Sequence, residues 1–166
     1  MRIIGAALVA LSAALFGRYW VSRLRAREEA LGALVVLVSR LQTELEYAAP
    51  PVESLLETLC AAEGNAPPFL SGCRARMASG ASFPEAWREA VGCGTPYLSK
   101  GDRTRLTAFG QALGTTDVAG QSRVCKLYTG LFAGAQSAAG REREKYAAYL
   151  PKLSLLLGLC GAVLLL

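Results

Sequence analysis

The sequence predicts an all-α protein: a helical bundle domain flanked by N- and C-terminal transmembrane helices. Apolar residues recur at three- and four-residue steps through the long segments, which is the period of an amphipathic helix. No run of alternating β-branched residues indicates a strand. Prolines and glycines lie mainly at predicted helix boundaries, and an uncharged apolar segment lies at each end.

The first predicted element is a transmembrane helix over residues 1–22. Ile3–Gly17 carries no charge, and its extension to Ser22 gives the roughly 20 residues that a span needs. Arg18 can extend its charged end to the membrane surface beside the aromatic residue Trp20. One side of the segment carries small residues, which either allow close helix packing or reflect simple alanine richness. These residues are Ala6, Ala10, Ala13 and Gly17.

The second predicted transmembrane helix covers residues 149–166. Its uncharged part, Leu153–Leu166, is short, so the span must reach back through Pro151 and Lys152. Pro151 is expected to mark a kink or a restart of the helix.

The placement of positive charge predicts on which side of the membrane the middle of the chain lies. Basic residues follow the first segment and precede the second. These are Arg18, Arg23, Arg25 and Arg27, then Arg141, Arg143, Lys145 and Lys152. Since such residues stay on the cytoplasmic side, residues 23–148 are predicted to form a cytoplasmic all-helical bundle domain. The same asymmetry argues against a cleaved signal peptide, the alternative that Arg2, the apolar run and Ser12-x-Ala14 loosely fit.

Within this domain, Arg23–Tyr47 is predicted as one long helix that continues the first span. Its apolar stripe is Leu31, Leu34, Val38, Leu41 and Leu45. Pro50-Pro51 should end it, and a short helix should follow from Val52 to about Cys60.

Capping signals predict the shorter helices. A helix over Phe69–Ser79 should end at Gly80, and Ser82 with Glu85 has the pattern of a capping box for a helix that stops at Gly92-Cys93-Gly94. Ser99 with Asp102 repeats the pattern.

The last long helix is predicted to start at the cap Asp117, after a terminating Gly114, and to run to about Tyr149. Its predicted apolar stripe is Val124, Leu127, Tyr128 and Leu131. Gly130 and Gly134 are expected to allow close helix packing.

Composition excludes several function classes. The chain has no histidine, which removes the commonest general base and metal ligand. Its five cysteines are widely spaced and favour buried reduced thiols over a metal site, although a disulfide between Cys73 and Cys93 stays open. Between residues 23 and 146, 15 Lys and Arg face 13 Asp and Glu, so no nucleic-acid partner is expected.

No catalytic constellation is visible. Glu85 and Glu89 lie on one helical face, but Glu85 is assigned to the cap and Arg88 is adjacent. Glycine-rich phosphate loops and Ser–His or Cys–His pairs are missing from the sequence. We therefore expect a binding or scaffold protein rather than an enzyme, with no cofactor, no metal and no small-molecule substrate.

Three motifs carry a family resemblance. They are Glu44-Leu45-Glu46-Tyr47 followed by Pro50; Phe83-Pro84-Glu85-Ala86-Trp87, which fits F-x-x-A-W; and Phe109–Gln121, which fits F-G-x-x-L-G-x-x-D-x-x-x-Q in full. In this order, between apolar ends, the motifs resemble stage III sporulation protein AB of endospore-forming bacteria. At the first motif the chain departs from the family pattern, because Val52 replaces Leu and the proline spacing is shifted.

The resemblance implies a platform component of the channel complex that joins mother cell and forespore and is required for endospore formation. It also implies a similarity to type II secretion system F-type platform proteins. The implied partners are the membrane, the AA-type secretion ATPase and other membrane proteins of the complex; a homo-oligomer stays open. The implied location is the mother-cell (outer forespore) membrane, with the middle domain in the mother-cell cytoplasm. The alternative is a static membrane anchor with no role in energy coupling.

Four residues are candidates for partner binding: Asp117, Gln121, Glu46 and Tyr47. For Asp117 the competing interpretation is a simple helix cap, with Gln121 incidental.

Overall fold

The computed structural model describes residues 2–48, 54, 67–113 and 117–165. Over these residues the fold is all-helical, as predicted, and contains no strand. The helices are α1 (Arg2–Ala48), α2 (Pro68–Ala78), α3 (Phe83–Gly94), α4 (Lys100–Ala112) and α5 (Val118–Leu165).

The two long helices differ in how well they match the sequence prediction. α1 is a single helix, which confirms that the segment to Tyr47 continues the N-terminal one. α5 runs on through Pro151, so the predicted helix end near Tyr149 and the restart at Pro151 are wrong, whereas the alternative of a kink at Pro151 stays a prediction. A proline removes one N–H from the helical ladder but leaves the neighbouring turns able to continue. The predicted helix over Val52–Cys60 and the terminating Gly114 lie outside the described residues, apart from helical Ser54.

The chain forms two compact units, to which α1 and α5 both contribute. The central unit comprises residues 29–136, and the terminal unit comprises residues 1–28 and 137–166. The predicted division at residues 22 and 149 stays a prediction.

The core of the central unit contains the predicted stripe of α1. All five of its residues are buried, each at most 3% exposed. They are Leu31, Leu34, Val38, Leu41 and Leu45. Three- and four-residue spacing places such residues on one helical face, so the sequence pattern identified that face correctly.

An aromatic cluster around Trp87 anchors the short helices. The Trp87 ring lies 5.1 Å from that of Phe69 in an edge-on arrangement and 6.2 Å from that of Phe109. Its indole Nε1 donates to the Leu106 carbonyl at 2.8 Å, so the buried polar atom is satisfied. Gly110 lies directly against the indole, and a Cβ at this position would overlap it.

The stripe predicted for α5 is right in part: Val124 and Tyr128 are half-buried, and the Tyr128 ring lies 5.1 Å from that of Phe109. Leu127 and Leu131 are 60% and 42% exposed, whereas Cys125 and Phe132 are fully buried. The helix therefore packs the face of Cys125, Tyr128 and Phe132 against the core, and Leu127 and Leu131 lie outside that face. Gly130 and Gly134 have no described atom within reach of an added Cβ, so the close packing expected of them does not occur within this part of the chain.

The helix caps confirm one capping box and correct the other. The Ser99 hydroxyl accepts from the Asp102 N–H, and the Asp102 carboxylate accepts from the Ser99 N–H. At α3 only half of the box forms: the Glu85 carboxylate accepts from the Ser82 backbone N–H, whereas the Ser82 hydroxyl donates to that carboxylate at 2.7 Å and caps no backbone group. This bond, more than any other contact, holds the pKa of Glu85 below its ordinary value.

The remaining short-range predictions concern a turn and the thiols. α2 ends before Gly80, whose φ of +96° is the left-handed conformation that favours glycine. Cys93 is a free thiol, so the disulfide left open between Cys73 and Cys93 does not form.

The terminal unit pairs the first part of α1 with the last part of α5. Arg27 Nη1 lies 3.4 Å from Glu142 Oε2, and Arg143 Nε lies 2.9 Å from Glu28 Oε2. The Arg143 N–H does not point at the carboxylate, so this contact is an ion pair without a hydrogen bond. Gly17 is buried, and a Cβ on it would lie 3.5 Å from the Cβ of Leu150.

None of the helices combines the length and the apolar character that crossing a membrane requires, as far as the described residues extend. Nothing is described of the side chains of residues 2–10, 13, 14, 151, 152, 154, 155 and 157–165, which belong to the two predicted spans.

Candidate functional site at the α1–α5 junction

The end of α1 and the start of α5 meet in the central unit. The Ser122 hydroxyl of α5 donates to Glu46 Oε1 of α1 at 2.6 Å. The Gln42 side-chain amide, one turn earlier on α1, donates to the same oxygen at 2.9 Å. We call this place the α1–α5 junction and define it by Gln42, Glu46, Tyr47, Asp117, Gln121 and Ser122.

Glu46 is the charged centre of the junction. Residues four apart on a helix lie on the same face, which brings Gln42 to the Glu46 carboxylate. The Ser122 hydroxyl, then the Gln42 amide, then the charge of Lys126 keep the pKa of Glu46 below its ordinary value. The carboxylate is therefore ionised at neutral pH and already oriented by two donors.

Asp117 is the N-cap of α5, as predicted. Its Oδ1 accepts from the Gly120 N–H at 3.0 Å, and its carbonyl accepts from the Gln121 N–H at 2.9 Å. The first bond satisfies one of the N–H groups that a helix start leaves without a partner. Asp117 is exposed, so its second carboxylate oxygen also lies at the surface of the junction.

Tyr47 and Val118 give the junction an exposed apolar component. Tyr47 is 93% exposed and Val118 is 42% exposed. Gln121 is half-buried, one residue before the Ser122 that binds Glu46. Through Ser122 the structure connects Glu46 directly to the helix that begins after Asp117, and Tyr47 and Gln121 are the sequence neighbours of the two bonded residues.

Two residues of the junction were not predicted. The spacing of Gln42 and Glu46 is a visible signal for a helical pair. Ser122 has no such signal, because 76 residues separate it from Glu46 and only the packing of two helices brings them together.

The chemistry available at the junction is that of binding. Cys125, one turn after Gln121, is buried, and this burial raises the pKa of its thiol to about 11, so it carries no thiolate at neutral pH. The described residues include no group of three or more acidic or thiol side chains that could hold a metal ion. The junction offers an oriented carboxylate, an exposed ring and an amide, which suit a protein partner.

The family model of stage III sporulation protein AB matches residues 2–166. The chain belongs to this family. The match covers all three motifs that carry the resemblance, and it makes the chain a stage III sporulation protein. Stage III sporulation protein AB is not a known enzyme family.

No curated protein and no solved structure matches the chain. The relation of stage III sporulation protein AB to F-type secretion platforms therefore stays a prediction. What the structure adds for this member of the family is the contact between two of its motifs: Trp87 of the F-x-x-A-W segment lies against Gly110 of the F-G segment.

Proposed function

We propose that the chain is a membrane platform component of the channel complex between mother cell and forespore, where it recruits or couples to the AA-type ATPase. Its membership of the stage III sporulation protein AB family, over residues 2–166, carries the proposal. The complex and the ATPase partner come from the family resemblance. The α1–α5 junction is the proposed contact surface.

Two-pass attachment through residues 1–22 and 149–166 is part of the proposal. Exposed large apolar side chains are concentrated in the terminal unit: Leu11, Leu15, Phe16, Tyr19, Trp20, Tyr149, Leu153 and Leu156. Leaving such a surface in water is unfavourable, and an apolar patch of this kind is typical of a membrane or partner interface. Tyr19 and Trp20, beside Arg18, suit the boundary between lipid and water.

The proposed topology puts residues 23–148 in the mother-cell cytoplasm and both ends of the chain on the other side of the membrane. Arg76→Cys and Leu166→Cys, each introduced into a cysteine-free chain, test it with a membrane-impermeant maleimide. We expect the reagent to label position 166 from the intermembrane side and to leave position 76 unlabelled. The reverse pattern contradicts the proposed topology.

The contact with the ATPase is tested by co-purification of the full chain from detergent. Asp117→Asn keeps the cap but removes the charge, so it should weaken ATPase binding without lowering the melting temperature. Tyr47→Ala and Gln121→Ala should also weaken binding. Arg74→Gln, an exposed position on α2, is the matched surface control. If losses in binding only follow losses in melting temperature, Asp117 is a cap and the junction is not the contact surface.

Energy coupling and static anchoring differ in one measurable quantity. A coupling element must bind two nucleotide states of the ATPase with different affinity, because only differential affinity can shift an equilibrium between states. We expect the affinity for the ATPase to differ between ATP and ADP. Equal affinities would leave the static anchor as the function of the chain.

A further inference from the structure

The groove between α3 and α4 carries positive charge on both walls. Its volume is about 340 Å³. Arg88 of α3 faces Lys100 and Arg103 of α4 across it, and no acidic side chain lines it. The remaining polar lining consists of Thr104, Thr107 and Gln111. We call it the α3–α4 groove.

The acids of α3 and α4 are all engaged away from the groove. The pairs are Glu85 with Ser82 at 2.7 Å, Glu89 with Arg76 at 2.8 Å, and buried Asp102 with Ser99 at 2.6 Å. Arg88 and Lys100 are exposed, and neither forms an ion pair with any described residue. Glu85, whose pKa is lowered mainly by its hydrogen bonds from Ser82, is also close enough to Arg88 for the arginine charge to help lower it, but Lys100 has no ion-pair partner among the described residues, so the groove presents a net positive charge.

We infer that the α3–α4 groove binds an acidic segment of a protein partner. Charge complementarity provides the first argument, because cations on two walls of a recess favour carboxylates between them. The second argument is the row of uncharged polar side chains along α4 at positions 104, 107 and 111. From position 104 to position 111 the helix rises about 10 Å. This length fits several residues of a bound peptide rather than one small ion.

The lining favours a protein over the other anionic macromolecules. Single-stranded nucleic acids need aromatic side chains on which bases can stack, and the groove has none. A membrane surface favours apolar side chains next to the cations, whereas the floor here combines small residues, hydroxyls and an amide. A concave recess between two helices can hold both a side chain and the backbone of a bound peptide.

The test compares two double variants of the full chain in non-ionic detergent. The first is Arg88→Gln with Lys100→Gln. The matched control is Arg40→Gln with Arg74→Gln, which removes the same charge from exposed positions outside the groove. The probe is a short fluorescent peptide of alternating Glu and Ala, with a Gln–Ala peptide of equal length as its neutral counterpart. Binding is measured by fluorescence anisotropy.

We expect the native chain to bind the acidic peptide and not the neutral one. The groove variant should lose about tenfold in affinity or more, and the control less than about twofold. Thermal melts of both variants should match that of the native chain, because none of the four side chains forms a hydrogen bond or an ion pair with a described residue.

Three outcomes overturn the inference. Equal losses in the two variants would assign the binding to net charge rather than to the groove. Binding of anionic vesicles or an oligonucleotide with loss only in the groove variant, and no binding of the peptide, would assign the groove to another ligand. Absence of any peptide binding by the native chain would leave the groove without an acidic partner. The ATPase co-purification is independent of all three.

Discussion

Asp117 stabilises the start of α5 by accepting a side-chain hydrogen bond from the Gly120 N–H. Asp117→Asn should change the free energy of unfolding by no more than a few tenths of a kcal/mol, because the amide oxygen accepts the same bond. Asp117→Ala should lower it by about 1 kcal/mol. Chemical denaturation of the three chains measures both. If the Asn variant loses as much as the Ala variant, the charge acts on the helix dipole and the cap is secondary.

Cys125 predicts a specific dependence of stability on pH. Burial raises the pKa of the folded thiol from an ordinary 9.0 to about 11. Between pH 9.0 and about pH 11 the Cys125 thiol is deprotonated in the unfolded chain but still protonated in the folded chain, so the free energy of unfolding falls as pH rises. Below pH 9.0 the thiol is protonated in both states, and its contribution to stability is fully present. Denaturation curves across this window should show a smaller fall for Cys125→Ala than for the native chain.

The control for this measurement is Cys93→Ala, since Cys93 is exposed. Lysines and tyrosines also titrate in alkali, and their contribution is common to all three chains. An equal fall in the native chain and in Cys125→Ala would show that the thiol plays no part.

The sequence predicted part of the candidate site at the scale of residues. Asp117 was identifiable as a cap because its side chain acts on the backbone three residues away. The Ser122–Glu46 bond was not, because nothing local distinguishes Ser122 from other polar residues on α5. Tyr47 was a candidate only through the family motif, and its exposure is a result of the structure.

At the scale of elements, the packing of α3 against α4 depends on the close approach of Gly110 to the Trp87 indole. Gly110→Ala should lower the free energy of unfolding by about 1–3 kcal/mol, because the new Cβ would overlap the Trp87 indole in a packed core. Gly134→Ala is the matched helical control, with open space around it, and should raise stability by about 0.5–1 kcal/mol. Chemical denaturation of each variant tests the pair. A neutral Gly110→Ala would mean that the indole moves aside without cost.

The elements also show where periodicity succeeds and fails. The stripe of α1 was predicted correctly because its leucines and valine occupy one face and charged residues occupy much of the rest. α5 has two faces with apolar residues, and the predicted stripe combined Tyr128, which packs against Phe109, with the exposed Leu127 and Leu131. The buried face contains Cys125 and Phe132 instead. Hydrophobicity alone cannot say which face the neighbouring helices will cover, since that depends on tertiary packing.

At the scale of the whole molecule, reciprocal ion pairs connect the two halves of the terminal unit. Glu28→Arg should destabilise it, because two arginines would then face each other. Adding Arg143→Glu restores opposite charges and should recover most of the loss. A double-mutant cycle, measured by thermal melting in detergent, should give a coupling free energy of about 0.2–1 kcal/mol between Glu28 and Arg143. Additive losses would show that the two side chains do not interact.

The same pairs have a consequence for how the protein is made. Arg27 and its partner Glu142 are 115 residues apart in the chain. At a synthesis rate of about 5–20 residues per second, α1 waits roughly 6–23 seconds before that partner exists. The central unit, whose residues lie entirely between the two, can begin to fold during this interval. Arg27 therefore cannot pair with Glu142 until the whole central unit has been synthesised.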